Sequence, residues 1–214
     1  MLPVHRGHYL KPYQHYAKPP NKMEALLTKT RQCVVCTESL GHEPRPVLAA
    51  HRQSKIAIIG QEPGSVVHRT GIPWDDQSGE NLRRWMAIDN ATFYDKKQIA
   101  LIPMGFCYPR KGKSGDLPPR KECAPLWHPS LFEEMKQLKL ILLIGKYAQD
   151  YYLDSPEKTL TSTVRNFRQY LPNHFVLPHP SPRNNIWQAK NSWFKTEVLP
   201  ALRDMTKAIL KSRA

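Results

Sequence analysis

The chain has 214 residues, which is enough for one α/β domain with a hydrophobic core and short for two. Apolar residues make up 40% and charged residues 23%, as in ordinary globular proteins, but the formal net charge is +14. Such a charge favours polyanionic partners, with nucleic acid first and an anionic membrane surface second, although a basic composition can also serve solubility alone. No apolar run approaches the roughly 20 residues that cross a bilayer, and the N-terminus lacks the apolar stretch of a secretory signal. We therefore expect a cytoplasmic protein without a membrane-spanning segment.

The first segment, residues 1–22, is polar, basic and rich in Pro, His and Tyr. We predict an extended N-terminal arm there, which either adds nucleic-acid contacts or is a terminus without function. Residues 23–214 show no internal repeat and no change in composition that would mark a second domain, so we predict a single domain over this range. It begins with a short helix from Met23 to about Gln32.

Four apolar runs have the pattern of strands that are buried on both faces of a parallel sheet. They are residues 55–59, 98–102, 138–144 and His174–Leu177. Helical spacing of apolar residues predicts helices at 79–86, 131–136, Lys146–Tyr152 and 190–210, with Pro200 as a kink in the last. Strands that alternate with helices predict an α/β fold, a three-layer αβα sandwich around a central, mainly four-stranded parallel sheet.

Two short motifs follow two of these strands directly. The first motif is Gly-Gln-Glu-Pro-Gly at residues 60–64, and the second motif is His-Pro-Ser-Pro-Arg-Asn at residues 179–184. Ligands of parallel α/β sheets bind outside the carboxyl ends of the strands, so both motifs are predicted to face one cleft. The first motif offers the carboxylate of Glu62, and the second offers the imidazole of His179 and a turn that ends in Arg183.

The four cysteines of the chain are Cys33, Cys36, Cys107 and Cys123. The first two have the two-residue spacing that lets two thiolates reach one metal centre, and the other two flank a loop rich in proline and lysine. In a cytoplasmic protein, metal ligands or free thiols are expected rather than disulfides. Four thiolates can hold a [4Fe–4S] cluster or a structural zinc, and spacing alone does not choose between them. Four unrelated cysteines are the alternative.

Together these features resemble the uracil-DNA glycosylase superfamily, and most of all its iron–sulphur branch. Members of that branch have a CxxC just before the first motif, a third cysteine after the second strand and a fourth sixteen positions later, an interval that Cys107 and Cys123 reproduce. The resemblance runs from about Cys33 to His179. It implies the fold described above and a structural [4Fe–4S] cluster, with structural zinc as the alternative, that braces a basic DNA-contacting loop at residues 108–113.

The resemblance also implies roles for the first motif and the segment after it. The iron–sulphur branch has Gly-Glu-Ala-Pro-Gly and then Gly-x-Pro-Phe, where this chain has Gly-Ile-Pro-Trp ending at Trp74. Trp74 would then stack on a flipped base. The turn that contains Gly60, Pro63 and Gly64 would bind the base through the backbone N–H groups of its non-proline residues. The motif is a hybrid, because the iron–sulphur branch has its acid where this chain has Gln61. Glu62 stands where another branch, with Gly-Gln-Asp-Pro-Tyr, has its aspartate.

From this resemblance we take Glu62, His179 and Gln61 as the catalytic candidates. Glu62 would orient water or stabilise a cationic sugar, with a loop salt bridge as its alternative role. His179 would stabilise the anion of the departing base. In the second motif, Ser181, Arg183 and Asn184 are candidate substrate contacts. Arg183 would act as a wedge in the duplex or bind phosphate, and Asn184 would otherwise cap the next helix.

One position departs from the family pattern. The family reads uracil with an asparagine four residues before the third cysteine, and this chain has Pro103 there. Proline has no side-chain amide for the base edge, so the pocket must use backbone groups, another side chain or a different base. His68, between the two halves of the first-motif region, is the replacement that we consider.

The function that this resemblance implies is a monofunctional DNA glycosylase that removes uracil or another deaminated base and so initiates base excision repair. Its partner would be damaged DNA, which would associate the protein with the nucleoid, and we expect a monomer. Neither motif contains a lysine placed to form a Schiff base, so strand cleavage is not expected. The alternatives are a glycosylase-like protein that only binds DNA or damaged bases, and an unrelated zinc-stabilised nucleotide-binding protein. Covalent trapping of the product is a further possibility, for which no nucleophile stands out.

Overall fold

The central sheet has four parallel strands in the order β2-β1-β5-β6. The computed structural model describes residues 21–113 and 115–212, so nearly all of the predicted N-terminal arm lies outside the described residues. The strands are β1 (Ile56–Ile59), β2 (Ile99–Leu101), β5 (Leu140–Ile144) and β6 (His174–Leu177), and a two-stranded antiparallel hairpin comprises β3 (Lys111–Gly112) and β4 (Gly115–Asp116). All four predicted strands are confirmed, each within two residues at either end.

Ten α-helices surround this sheet in the described part of the chain. They are α1 (Lys22–Arg31), α2 (Thr37–Leu40), α3 (Ser65–Thr70), α4 (Gln77–Met86), α5 (Asn90–Tyr94), α6 (Cys123–Glu134), α7 (Lys146–Tyr152), α8 (Leu160–Arg165), α9 (Asn185–Lys190) and α10 (Leu199–Lys211). Side chains fix several of their beginnings, because Asn21 and Thr159 form capping boxes on α1 and α8, and Asp76 caps α4. None of the helices described is long and apolar enough to cross a membrane.

The sheet is covered on both faces. Successive side chains of a strand point to opposite faces, and all four residues of β1 are fully shielded from solvent. Pairing in register aligns Ile58 of β1 with Leu101 on one side and with Leu142 on the other, so apolar side chains form continuous rows across the sheet. Each such side chain contributes about 1.5–3 kcal/mol by its burial. The predicted α/β fold is confirmed.

The predicted helices are confirmed in part. The prediction for Lys146–Tyr152 matches α7, whereas the segment 131–136 is only the end of α6, which begins at Cys123. The single helix predicted over 190–210 is wrong, because α9 ends at Lys190 and a π-helical turn, Phe194–Val198, leads into α10. Pro200 lies in the first turn of α10, directly after the π-helical turn, and not in the interior of a longer helix as predicted.

Candidate active site

A pocket lies where the first motif leaves β1 and the second motif follows β6. The space between the two motifs, including its open mouth, measures about 420 Å³. It is lined by Val47, Gly60, Gln61, Glu62, Pro63, Gly64, Val67, Pro73, Trp74, Asp76, Pro103 and His179. The two motifs therefore do share one cleft at the carboxyl ends of the strands, as predicted.

Trp74 forms one wall of the pocket in a backbone conformation that is unusual for a large residue, with φ at 59°. Two glycines make room for it: a Cβ at Gly79 would lie 1.8 Å from the Trp74 carbonyl oxygen, and one at Gly60 would lie 2.7 Å from the indole ring. The Tyr94 hydroxyl donates a hydrogen bond of 3.3 Å to the same carbonyl. The indole ring stacks on the His179 imidazole at 5.9 Å between centroids and 26° between planes. Close packing and this hydrogen bond therefore fix the Trp74 ring beside the His179 imidazole.

His179 is held as a neutral ring with a defined tautomer. Its Nδ1 accepts a hydrogen bond of 3.2 Å from the backbone N–H of Ser181, which leaves Nε2 to carry the proton. Burial lowers the pKa of His179, and the Asp76 carboxylate opposes this only in part. The Asn184 amide donates to the His179 carbonyl oxygen over 2.7 Å. The imidazole can therefore donate a proton in a hydrogen bond within the pocket without being charged.

Glu62 is the acidic group of the first motif, and it is half-buried. Burial, and next the negative charge of Asp116, raise the pKa of Glu62 to about 8. Its Oε2 atom is shielded from solvent and has no hydrogen-bond partner. Among residues 21–113 and 115–212, Glu62 forms no ion pair, so the loop salt bridge considered from the sequence is not formed there. The protein thus disfavours the ionised form of the Glu62 carboxyl and gives its Oε2 atom no hydrogen bond.

The remaining residues of the first motif have backbone roles that fix the shape of the pocket. The carbonyl oxygen of Gly60 accepts from the N–H of Met104 at 3.0 Å, and that of Gln61 accepts from Gly105 at 2.9 Å. The Gln61 side chain packs against Gly145 at the end of β5, where an added Cβ would lie 2.9 Å from its Nε2 atom. The turn is thereby tied to two neighbouring strands.

Four predicted site residues lie outside the pocket lining. His68, on α3, packs against His42 at 5.1 Å and Tyr108 at 5.7 Å instead of entering the pocket. Ser181 and Asn184 bond within the second motif: the Ser181 hydroxyl accepts from the Arg183 N–H at 3.3 Å, and Asn184 holds the His179 carbonyl. The Arg183 guanidinium lies 3.5 Å from the position that a Cβ on Gly115 would occupy, beside the hairpin.

Pro103 lines the pocket, at the position where the resemblance led us to expect an asparagine, and its carbonyl oxygen already accepts a hydrogen bond. The Nε2–H of fully buried His128 donates to that oxygen over 3.1 Å, and the Tyr152 hydroxyl donates to His128 Nδ1. Burial lowers the pKa of His128 to about 4, so the ring is neutral. Sequence reasoning missed His128 and also Asp76, although the Asp-x-x-Gly pattern before a helix signals a cap at Asp76.

The cysteines lie in one region near the start of α6. Cys36 and Cys107 share a small buried cluster with Leu40, Cys123 is buried and Cys33 is half-buried. Burial, and next the neighbouring Cys123, raise the pKa of Cys107 to about 12, with smaller effects from the other two cysteines. In the part of the chain that the structure describes, no group of three or more His, Cys, Asp or Glu side chains converges closely enough to hold a metal ion. The donor set suits a thiolate-bound centre, and binding one would draw the thiols together and release their protons.

The fold and this pocket define a parallel α/β protein with a ligand site at the carboxyl ends of its strands. A family model, the uracil DNA glycosylase superfamily, matches residues 46–203, and the chain belongs to that superfamily. Among solved structures, the chain is similar to the solution structure of a Methanosarcina acetivorans protein with a provisional assignment as a uracil DNA glycosylase. The identity is 18%, the match covers 75% of this chain and 98% of the other, and the TM-score is 0.43.

Proposed function

We propose that this protein is a monofunctional DNA glycosylase that hydrolyses the N-glycosidic bond of uracil or another deaminated base and so initiates base excision repair. The observation that carries the proposal is the meeting of Glu62, Trp74 and His179 in one pocket of a chain that belongs to this superfamily. The net charge of +14 supports DNA as the partner.

Binding begins when the damaged base leaves the helical stack and enters the pocket. Trp74 offers a flat apolar wall on which any base can stack, worth about 1–3 kcal/mol per base. The His179 Nε2–H and the backbone N–H groups of the non-proline residues of the first motif would donate to a carbonyl oxygen of that base. Because they are already held in place, they stabilise the negative charge that develops as the glycosidic bond breaks, and one such donor contributes about 3–4 kcal/mol.

Glu62 acts on the opposite charge. In its ionised form it stabilises the cationic sugar and orients a water molecule, whose oxygen bonds to the sugar carbon while the base leaves with the electron pair of the broken bond. The water proton passes to the carboxylate and from there to solvent. Because burial and Asp116 raise the pKa of Glu62 to about 8, the ionised form is the minority at neutral pH, and the rate of base release should rise with pH through that value.

The cysteine region would hold a structural centre and carry no step of the reaction. We propose Cys33, Cys36, Cys107 and Cys123 as ligands of a [4Fe–4S] cluster, with a structural zinc as the alternative. Bound there, the centre would supply mechanical support to the basic loop that follows Cys107. Brown protein with absorbance near about 400 nm distinguishes the cluster from zinc.

The second candidate is a glycosylase-like protein that binds DNA or damaged bases without turnover. Pro103 favours it, because the pocket has no side-chain amide at that position with which to read a base edge. Glu62 and His179 favour catalysis.

The test is release of base from an oligonucleotide that carries one uracil, detected by alkaline cleavage at the abasic site. The single strand and the U·G duplex are run beside His179→Ala. The matched control is His51→Ala, since His51 precedes β1 and so lies at the opposite ends of the strands. Release by the parent and by His51→Ala, but not by His179→Ala, is the expected result. Tight DNA binding without release would reject uracil removal and favour the binding protein.

A further inference from the structure

The β3–β4 hairpin brings a second carboxylate to the candidate active site. Asp116, in β4, pairs with Lys111 across the hairpin. Its Oδ2 atom lies 3.7 Å from the position that a Cβ on Gly64 would occupy, at the end of the first motif. The Tyr108 hydroxyl donates to Asp116 Oδ1 over 3.3 Å. An exposed acid on a short hairpin is thus held against the motif that carries Glu62.

Glu62 is surrounded by few charges that could offset this carboxylate. Asp76 and neutral His179 line the same pocket, and Asp76 is a further acid. The Arg183 guanidinium lies beside Gly115, and Asp116 forms no ion pair with any residue that the structure describes. The Glu62 carboxyl is half-buried and its Oε2 atom has no hydrogen-bond partner, so a negative charge held against the first motif disfavours the ionised form of Glu62.

We propose that Asp116 is a positioning residue whose negative charge adds to the effect of burial in holding a proton on the Glu62 carboxyl, and so raises the pH above which the pocket becomes active. This rests on the proposed function, in which ionised Glu62 is the active form. Asp116 itself does not touch the base or the water. Its negative charge repels the negative charge of ionised Glu62, in agreement with the upward direction in which Asp116 shifts the pKa of Glu62.

The test compares Asp116→Asn with the parent in the rate of uracil release with enzyme in excess, across the pH range. Removal of the charge lets Glu62 lose its proton more easily. The rising limb of the profile should move to lower pH by about half a unit, so that release at neutral pH is about threefold faster while the alkaline plateau is unchanged. Since Asp116 is exposed, high salt should shrink this shift. The matched control is Asp150→Asn, which removes an exposed carboxylate on α7 that pairs with Lys146 at 2.8 Å and should leave the limb in place.

A second readout does not depend on turnover. Titration of the Glu62 carboxyl by ¹³C NMR, assigned by its loss in Glu62→Gln, should show the same downward shift in Asp116→Asn. If the parent releases no base but the NMR shift is present, the inference about Asp116 stands and the proposed function fails. If the parent releases base and neither the limb nor the NMR titration moves, the inference is wrong. An equal loss of activity at every pH, with an unmoved titration, would assign Asp116 a structural role only.

Discussion

The pocket and the cysteine region differ in how completely the polypeptide fixes them. In the pocket, hydrogen bonds fix the backbone of both motifs. The Met104 N–H donates to the carbonyl oxygen of Gly60, and the Asn184 side-chain amide donates to the carbonyl oxygen of His179. Asn81 on α4 donates to the Pro180 carbonyl at 2.8 Å, which ties the second motif to the helix beside Trp74. The pocket is therefore organised before any ligand arrives.

In the cysteine region, the side chains lie in one part of the fold but do not meet at one point. Cys36 and Cys107 are buried together, and the other three cysteines add to burial in raising the pKa of the Cys107 thiol. Among the residues that the structure describes, no three His, Cys, Asp or Glu side chains converge on one point. The comparison shows that hydrogen bonds within the protein hold the pocket residues in place, whereas the described cysteine side chains are not brought to one point by the protein alone.

The largest effect is expected from Glu62→Gln, which keeps the shape of the pocket but removes the carboxyl group of the first motif. The rate of base release should fall by about a thousandfold, the scale of a lost general acid–base group, while DNA affinity stays within a few-fold of the parent. Glu38→Gln, which changes an exposed acid on α2, is the control. A loss of less than tenfold would contradict the role of Glu62.

The same substitution should stabilise the protein at alkaline pH. The pKa of Glu62 rises from its ordinary 4.5 to about 8 on folding, so between these values the folded state keeps a proton that the unfolded chain has released. The free energy of unfolding contributed by Glu62 therefore falls as the pH rises through this window. Thermal unfolding should show Glu62→Gln equal to the parent below pH 4.5 and more stable above pH 8. An equal difference at all pH values would rule out this linkage.

Trp74 allows the stacking wall to be tested apart from the rest of the pocket. Trp74→Ala should weaken base release by about 1–3 kcal/mol, or roughly 5- to 150-fold, and Trp74→Phe should retain most of it. The control is Trp187→Phe, because Trp187 packs against Trp193 and Phe194 at a distance from the first motif in sequence. Equal activity in Trp74→Ala and Trp74→Phe would remove stacking from the mechanism.

Gly79→Ala tests whether the helix after Trp74 sets the pocket. The added methyl would meet the Trp74 carbonyl oxygen at 1.8 Å, so the backbone must shift, at a cost of about 1–3 kcal/mol in the free energy of unfolding. Gly64→Ala is the matched control for stability, because its methyl would have no neighbour closer than 3.7 Å. Urea unfolding of both variants gives the comparison. Equal midpoints would mean that α4 adapts freely.

The fold and the centre of the pocket were predictable from the sequence for one physical reason. Buried parallel strands leave continuous apolar runs such as Ile56–Ile59, and residues that follow such strands meet at one edge of the sheet. Glu62 and His179 could therefore be paired across a cleft from their positions alone. Trp74 needed the family resemblance, because nothing in its neighbourhood indicates a strand end.

Other parts were not predictable because their determinants are not periodic. The β3–β4 hairpin has only two residues in each strand and no apolar alternation, so Asp116 gave no signal of its place beside Glu62. Helix α6 contains Pro129, and because proline usually marks the end of a helix, the sequence pattern did not predict that α6 begins at Cys123. The prediction that His68 replaces the base-reading amide has no support from the pocket lining, since His68 packs on His42 instead.

The smallest effect on chemistry is expected from loss of the proposed cysteine-bound centre. Cys107→Ala should abolish any absorbance near about 400 nm and lower DNA affinity a few-fold, because the basic loop after Cys107 loses its support. The rate of base release at saturating enzyme should change little, since hydrogen bonds within the protein already hold the first and second motifs. Metal content, DNA affinity and release rate are measured on the same preparation, with Ser39→Ala as an exposed control on α2. A collapse of the release rate at unchanged affinity would show that the pocket depends on the cysteine region after all.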